Sequence, residues 1–464
     1  MAKLEKIIEW GFYFFIFLLP WQTRLIWQEA YFNGYVSEYS RFSLYGTEIL
    51  LWLVLFLYGF WLFKNRYLEK LNFSLGFKRL KDPAVLIYWL TILFLLSAGM
   101  TVIWSLNASL AYYRFVVLAE AIAMFSMILV FGRGLKSGQK KVGFSFEKIA
   151  IVWVLSAAIQ GLFATWQFFV QYTFANKWLG LAEHFSTVGG SIILQTDSER
   201  WLRAYGSLPH PNILAGFLVI GLLFLIYLAL VAEKRSSRVF VLASLLMITP
   251  GLFFTFSRSA WVALIVVFGF LSVWLFRQDK IWQKTFFKMV FLLMLIFIVL
   301  GINLWQPVLT RIQGEQDLEV ASIYLRVAFT KQAFELIKDN PILGQGIGNY
   351  TLAVFQKINA SWPGYYYQPV HNIYLLVLAE LGIFGALIFG LILIILIWNL
   401  LKKNEAVVTS PHLLSSFRLE KIIVFLCLLS ILIISLFDHY FFSLYFGLLI
   451  FWLILALNLK QLNQ

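Results

Sequence analysis

Long apolar runs separated by short polar segments dominate the chain. About twelve runs are long enough to cross the roughly 30 Å hydrocarbon core of a membrane as helices. They lie near 7–27, 44–63, 84–104, 112–131, 148–170, 211–232, 238–257, 259–276, 286–305, 372–400, 418–437 and 439–459. The pattern predicts an all-α polytopic membrane protein that forms a single transmembrane domain over residues 1–464, with a large outer loop between helices 9 and 10.

Two pairs of predicted helices almost touch, at 257–259 and at 437–439. Each pair is either a tight hairpin or one segment that the hydropathy divides wrongly, and the charges favour hairpins. With the N-terminus inside, most of the 37 Lys and Arg fall in the inner segments, and the short outer turns 105–111 and 437–439 carry none. This is the positive-inside pattern. It predicts a multi-pass membrane protein with both termini in the cytoplasm.

Composition supports this class and excludes others. The chain is 61% hydrophobic and 13% charged, whereas a soluble domain carries about 25% charged residues. The net charge of +14 is explained by an inner surface that faces anionic lipid. The basic residues form no single patch with interleaved aromatics, so nucleic acid is not an expected partner. The lone Cys427 excludes an intramolecular disulfide and a thiolate metal cluster.

Two long loops lie on the predicted outer side, at 171–210 and 306–370, and loops of this length often carry function. In the second loop, apolar residues recur at helical spacing, and Asp339-Asn-Pro341 would end the helix. We predict an amphipathic helix along the outer surface, with Arg326 beside its apolar face. The apolar positions are Val320, Ile323, Val327, Phe334 and Ile337.

Three polar residues fall near the same predicted face. Arg258 lies between two spans that almost touch, Arg326 lies on the surface helix, and His371 precedes the tenth span. Each has an ordinary alternative: an interfacial arginine, a surface-helix arginine, or a polar residue at a helix start. Together, two arginines could bind a phosphorylated headgroup, and a neutral histidine could act as a general base.

Other polar positions are open to more than one interpretation. His210, between two prolines, could contact substrate or serve structure, whereas Asn212 is expected to cap the helix that follows. Asn372 enters the tenth span beside His371, and a polar group there is costly unless something binds it. On a regular helix Glu380 points away from His371, so it is expected to contact a neighbouring helix. Gly344-Gln-Gly-Ile-Gly348 lacks dinucleotide-binding spacing and predicts a turn.

The number and spacing of histidines and acids suggest no metal site, and Asp438-His439 reads as an interfacial pair at the last outer turn. No cofactor is expected.

Four segments in order resemble the O-antigen ligase/polymerase superfamily of bacterial membrane glycosyltransferases. They are Pro209–Ala215, Thr255–Trp261, Arg326 with Asp339–Tyr350, and His371-Asn372 with Glu380–Gly385. The motifs cover about residues 200–390, and the topology is similar over the whole chain. The resemblance implies a GT-C-like fold.

By this resemblance, the protein is a metal-independent, inverting glycosyltransferase of lipopolysaccharide or other polysaccharide biosynthesis. It would move a glycan from a polyprenyl (undecaprenyl) pyrophosphate carrier to an acceptor hydroxyl on the outer face. Arg258 and Arg326 would hold the pyrophosphate, and His371 would orient or deprotonate the acceptor; His210 and Asn372 are further substrate contacts. The acceptor stays open between lipid A-core for a ligase, a carrier-bound repeat for a polymerase, and protein Ser or Thr.

Two functions of other classes compete with this one. A transporter of lipid-linked glycan needs polar groups along a path through the bilayer, whereas most polar groups here gather at one end. Glu120, within the fourth span, is an exception that the sequence leaves unexplained. A non-catalytic scaffold would bind partners without changing glycans.

Overall fold

The computed structural model describes residues 2–65, 81–131, 143–401 and 411–462. Within these ranges, ten helices are long and apolar enough to cross a membrane. The helices are α1 (Ala2–Leu18), α2 (Gly46–Lys64), α3 (Pro83–Met100), α4 (Ala108–Val130), α5 (Phe146–Val170), α6 (Pro211–Leu230), α7 (Arg235–Phe254), α8 (Arg258–Leu275), α9 (Lys280–Asn303), α10 (Trp305–Gln313), α11 (Asp317–Asp339), α12 (Tyr350–Ala353), α13 (Ile373–Leu401), α14 (Pro411–Ile434), α15 (Tyr440–Ser443) and α16 (Tyr445–Leu462). The predicted all-α polytopic membrane fold is confirmed.

Three helix boundaries can be compared with those predicted from the hydropathy. The predicted first span, 7–27, ends at Leu18, and the chain then enters a strand. Helices α7 and α8 form a tight hairpin with only Thr255–Ser257 between them. At the other narrow gap the prediction is wrong: ten residues separate α14 from α16, and they include the short helix α15. Aromatic residues kept that connection apolar and hid it from a hydropathy count.

Helix α6 forms the centre of the bundle. Almost every one of its residues is buried, and α5, α7 and α14 pack around it. Helices α5 and α7 approach closely because glycines face each other, and a Cβ atom on Gly161 would lie 2.4 Å from the carbonyl oxygen of Met247. Small residues allow such backbone contact between membrane helices. Because these helices surround α6, its first residues are buried at one end of the bundle.

Short strands, which the sequence did not predict, shape that end of the protein. They form four antiparallel pairs of two strands each. The pairs are β1 (Arg24–Gln28) with β4 (Phe42–Tyr45), β2 (Tyr31–Phe32) with β3 (Tyr35–Val36), β5 (Tyr172–Thr173) with β6 (His184–Phe185), and β7 (Ile193–Gln195) with β8 (Arg200–Leu202). Pairs of two to five residues carry too little alternation to be recognised from sequence.

Helix α11 occupies the position of the amphipathic helix and ends at Asp339. One face packs on the protein through Phe329, Ala333 and Leu336. Most of the apolar residues that defined the predicted face are about half exposed: Val320, Ile323, Val327 and Phe334. Since the first face is already packed, the second is free to lie in the membrane interface.

Glu380 contacts a loop, not the neighbouring helix that we expected. Its carboxylate accepts the backbone N–H of Gly348 at 2.8 Å, and its carbonyl accepts the N–H of Gly346. Gly382 has φ +64, which interrupts the helical geometry of α13, and the Gly344–Gly348 segment forms the predicted turn. Glu380 therefore fixes this turn against α13.

The intramembrane Glu120 has an identifiable partner. The indole N–H of Trp52 donates to its carboxylate at 2.8 Å. Because Trp52 belongs to α2 and Glu120 to α4, this hydrogen bond ties the two helices together, which gives Glu120 a structural role.

Candidate active site

His371 stands immediately before α13, at the end of the bundle where α6 and α8 begin. Its ring lies 5.7 Å from that of Phe329 on α11 and 5.0 Å from that of His439, measured between centroids. Its Nδ1 atom is buried without a hydrogen-bond partner among the described residues and lies 4.0 Å from the Asp438 carboxylate. A small movement would close this gap into a hydrogen bond.

Asp438 lies at the centre of the cluster, so the interpretation of Asp438-His439 as a merely interfacial pair is wrong. Its side chain is buried, and one oxygen accepts the side-chain amide of Asn212 at 3.1 Å. The other oxygen accepts the backbone N–H of His439 at 2.9 Å and is the one that faces His371. A carboxylate in this position can orient a histidine and stabilise its protonated form.

The start of α6 departs from the predicted capping. His210, not Asn212, is the capping residue: its Nδ1 accepts the backbone N–H of Asn212 at 3.0 Å. The Asn212 side chain is used elsewhere, because its oxygen accepts from Arg203 at 2.7 Å while its nitrogen donates to Asp438. Asn212 therefore connects a buried arginine to the central carboxylate.

The α7–α8 hairpin is held by two buried arginines. The Thr255 carbonyl accepts from Arg203 at 2.6 Å, and the Phe256 carbonyl accepts from Arg311 at 2.9 Å. Phe256 has φ +47, a conformation that is costly for a bulky side chain and that is found mainly where the surroundings enforce it. These contacts fix the hairpin and, with it, Arg258, which is the first residue of α8.

Arg258 is partly engaged by the protein. It donates to the carbonyl of Arg311 at 3.2 Å and to the Glu319 carboxylate at 3.3 Å. Arg311 makes the tighter pair with Glu319, at 2.5 Å, and both of these side chains are buried. About a third of the Arg258 side chain remains exposed, so its guanidinium keeps N–H groups available to a ligand.

Arg326, in contrast, makes no hydrogen bond or ion pair through its guanidinium with any described residue. Burial lowers its pKa from the ordinary value; Asp438 opposes this effect and Arg258 adds to it. Those influences show that Arg326 lies near both Arg258 and Asp438. It lies one helical turn before Phe329, the residue whose ring approaches His371.

The charges at this end of the bundle are unbalanced. Arg326 is linked by electrostatic influence to Arg203, Arg258 and Arg311, and the carboxylates linked to the same described groups are Glu319 and Asp438. Four cations against two anions in a partly buried setting favour binding of a further anion. The planar guanidinium suits the oxygens of phosphate.

A cavity of about 340 Å³ opens beside His371. We call it the histidine cavity, because His184, His210, His371 and His439 line it, together with Asp438. Other parts of its lining come from residues 22–45, between α1 and α2, and from the 171–210 loop. Arg258 and Arg326 are not part of its described lining, whereas His371 is. His371 is also close enough to Arg326 for that arginine to influence its pKa.

The histidines of the cluster are held neutral. Burial lowers the pKa of His371, although Asp438 raises it and Arg326 lowers it further. Burial also lowers the pKa of His210 and of His439 to about 3. Burial alone would raise the pKa of Asp438, but the surrounding histidines bring it below its ordinary value. The cluster is therefore a carboxylate among neutral imidazoles, and a neutral imidazole is the form that accepts a proton.

The same cluster has the composition of a cation site, which the sequence did not suggest. His371, Asp438 and His439 each offer a ligand atom, and these atoms lie within 4.8 Å of one another. However, both Asp438 oxygens already accept N–H groups, and His439 Nδ1 lies 2.6 Å from the Ser443 hydroxyl. The nearby Arg326 would also repel a cation.

Asn372 is occupied with structure. Its oxygen accepts the N–H of Leu375 at 3.0 Å and thereby caps α13, while its nitrogen donates to the carbonyl of Leu436 at 3.3 Å. Its predicted contact with substrate remains a prediction.

Three residues of the site were not singled out in the sequence: Arg203, Arg311 and Glu319. Asp438 was singled out, but only as part of an interfacial pair. An arginine that is buried beside a glutamate indicates an ion-pair network. However, the sequences of the 171–210 and 306–370 loops gave no sign that these arginines are buried.

Known proteins match the part of the chain that carries three of these site residues. Residues 242–390, which contain Arg258, Arg326 and His371, match the family described as O-antigen ligase. The chain is also 26% identical over 236 residues to the general O-oligosaccharyltransferase of Acinetobacter baylyi, strain ATCC 33305 / BD413 / ADP1. That alignment covers 48% of this chain and 39% of the relative.

Proposed function

Because residues 242–390 match the family described as O-antigen ligase, we propose that this chain transfers a glycan from a polyprenyl-pyrophosphate carrier to an acceptor hydroxyl. The reaction would occur on the outer face of the bacterial inner membrane. The observation that carries the proposal is Arg326, whose guanidinium makes no hydrogen bond within the described protein while it lies near both Arg258 and Asp438, the carboxylate that faces His371.

The donor would bind on the arginine side. Arg258 and Arg326 would hold the pyrophosphate, and α11 would bring Arg326 to it along the membrane interface. Breaking the bond between the anomeric carbon and the pyrophosphate oxygen leaves an additional negative charge on that oxygen. Fixed cations stabilise such a developing charge without reorganising during the reaction. Arg203 and Arg311 would support this arrangement by holding the hairpin that carries Arg258.

The acceptor would approach from the histidine cavity. Neutral His371 would take the proton of its hydroxyl while the oxygen attacks the anomeric carbon from the face opposite the leaving pyrophosphate. One C–O bond forms as the other breaks, the proton moves to His371, and the configuration inverts. Asp438 would orient His371 and stabilise the imidazolium. All of these groups are supplied by the chain, so the proposed reaction is metal-independent.

A protein acceptor is the second candidate, and the relative described as a general O-oligosaccharyltransferase favours it. A ligase, a polymerase and a protein oligosaccharyltransferase would share the donor half of the mechanism. They would differ in what enters the histidine cavity.

Reconstitution tests the proposal. Purified protein in lipid vesicles would receive carrier-linked glycan and, in separate reactions, lipid A-core, a second carrier-linked repeat, or a Ser/Thr peptide. We expect a covalent glycan product with one acceptor, identified by mass spectrometry, and an unchanged rate in excess EDTA. Translocated but uncoupled glycan would instead support a transporter. Loss of activity in EDTA, restored by a divalent cation, would contradict the metal-independent mechanism.

The pH dependence of transfer tests His371 as the base. Because burial lowers its pKa, we expect the acidic limb of kcat/KM to have its midpoint below the ordinary value of 6.5. Asp438 raises the same pKa, so Asp438→Asn should move the midpoint to still lower pH and reduce the maximal rate. A midpoint that moves upward in this variant would exclude the proposed pairing of the two residues.

A further inference from the structure

Part of the wall of the histidine cavity is built by residues with no role in the donor half of the mechanism. They are Arg24, Glu38 and Tyr39, from the segment between α1 and α2, and His184 and Tyr205, from the 171–210 loop. The ring of Tyr39 lies 5.3 Å from that of His439, edge to face. This wall therefore reaches the histidine cluster directly.

The charged side chains that line this cavity carry one positive and two negative charges. Arg24 is the one lysine or arginine in its described lining, and both of its terminal nitrogens bind the Glu38 carboxylate. Arg41 binds the same carboxylate at 2.8 Å and also binds Glu29 at 2.7 Å. Asp438 adds a negative charge at the inner end. A phosphorylated group in this cavity would find no unpaired cation among the described residues, and burying an unpaired charge is costly.

The lining also presents aromatic surface with polar edges. His184 lies flat on Tyr205, with 4.2 Å between ring centroids and 11° between the planes. The Tyr205 hydroxyl accepts the N–H of Ile192 at 2.6 Å, which fixes that ring. Burial lowers the pKa of His184, so the stacked pair is uncharged at neutral pH. Rigid rings with polar edges suit a ligand that has apolar faces and hydroxyl groups.

Size and shape favour a small end group. About 340 Å³ lies at the lower end of the range of ~300–1,000 Å³ for small-molecule sites. The lining comes from side chains of several separate segments. Extended peptides more often bind along the open edge of one strand.

From these observations we infer that the histidine cavity binds the acceptor as an uncharged terminal sugar, and that the Glu38 carboxylate excludes phosphorylated acceptors by neutralising Arg24. The inference rests on the proposed function, and it names the acceptor class for that reaction. A glycan with a neutral non-reducing end would fit, whereas a phosphorylated lipid A-core sugar would not.

Binding without donor tests the inference. The full-length protein in nanodiscs would be titrated, by saturation-transfer NMR, with methyl glycosides of glucose, galactose, mannose and N-acetylglucosamine, with their 6-phosphates, and with a short Ser/Thr peptide. We expect at least one neutral glycoside to bind, and its 6-phosphate to bind about tenfold more weakly. If no neutral glycoside binds, if a 6-phosphate binds equally well, or if only the peptide binds, the inference is wrong.

The Glu38→Gln variant gives a sharper test than the wild type, because we expect it to gain binding of the sugar 6-phosphate. Freed from its carboxylate, Arg24 should accept the 6-phosphate, and its affinity should rise about tenfold. Glu29→Gln is the matched control: it makes the same change of charge in the same ion-pair network, but Glu29 is outside the cavity lining. An equal gain in both variants would show a general charge effect and overturn the assignment to Glu38.

The aromatic wall has its own pair of variants. His184→Ala should weaken neutral-sugar binding several-fold. Phe185→Ala, the next residue of the same strand, should leave it unchanged, because Phe185 stacks on Tyr172 and does not line the cavity. Transfer without sugar binding would contradict this inference alone, whereas sugar binding without transfer would contradict the proposed function alone.

Discussion

Replacing Arg326 with alanine is expected to lower the rate of glycan transfer by on the order of 10²–10³-fold, the usual effect of removing one fixed group that stabilises developing charge. The guanidinium is free of protein partners in the described chain, so its loss breaks no internal hydrogen bond and should leave folding intact. The substitution should weaken binding of the donor pyrophosphate and slow the departure of the pyrophosphate from the glycan. The measurement is the single-turnover rate in reconstituted vesicles, together with the Kd of the carrier-linked glycan.

Two companion variants make the Arg326 result specific. Arg326→Lys keeps the charge but not the planar fork, so it should recover only part of the rate. Lys331→Ala removes a positive charge from an exposed position of the same helix and should behave as wild type. If Lys331→Ala were as damaging as Arg326→Ala, general attraction of an anionic substrate would explain both.

His371→Ala is the second large effect, with an expected loss of about 10²–10⁴-fold in transfer, the contribution of a well-placed general base. Unlike the arginine variant, it should retain affinity for the carrier-linked glycan, since His371 lies on the acceptor side of the arginines. The measurement pairs the single-turnover rate with donor affinity.

Rescue separates a chemical role of His371 from a structural one. Added imidazole should restore part of the His371→Ala rate, because the removed ring leaves space beside the histidine cavity. The restored rate should rise with pH, in proportion to the neutral imidazole. A variant that loses donor binding as well, and that imidazole does not rescue, would assign His371 to structure.

Much of the fold was readable from sequence because lipid imposes a simple rule. A helix that spans the bilayer needs about twenty apolar residues, and this length is visible in the hydropathy. The connection between α14 and α16 was wrongly predicted for the same reason, because Tyr440 and Phe441 make it as apolar as a membrane-spanning segment. The strand pairs around Arg24 and His184 were invisible because each has only two to five residues.

The site was readable only in part. His371, Arg258 and Arg326 stood out because a polar group beside an apolar run is conspicuous. Asp438 was equally conspicuous, but its relation to His371 is a contact between α13 and the turn after α14. The network of Arg203, Arg311 and Glu319 depends on how two loops fold over the hairpin. No periodicity encodes such long-range pairing.

The central claim is that the arginine side and the histidine side act on one reaction. The most direct test is a single-turnover reaction that counts two products of the reconstituted protein: free polyprenyl pyrophosphate and glycan joined to the acceptor. The account predicts equal amounts of both in wild type, formed together, and neither in the Arg326→Ala, His371→Ala double variant. Glycan that crosses or leaves the membrane still attached to its carrier, with no pyrophosphate released, would contradict it.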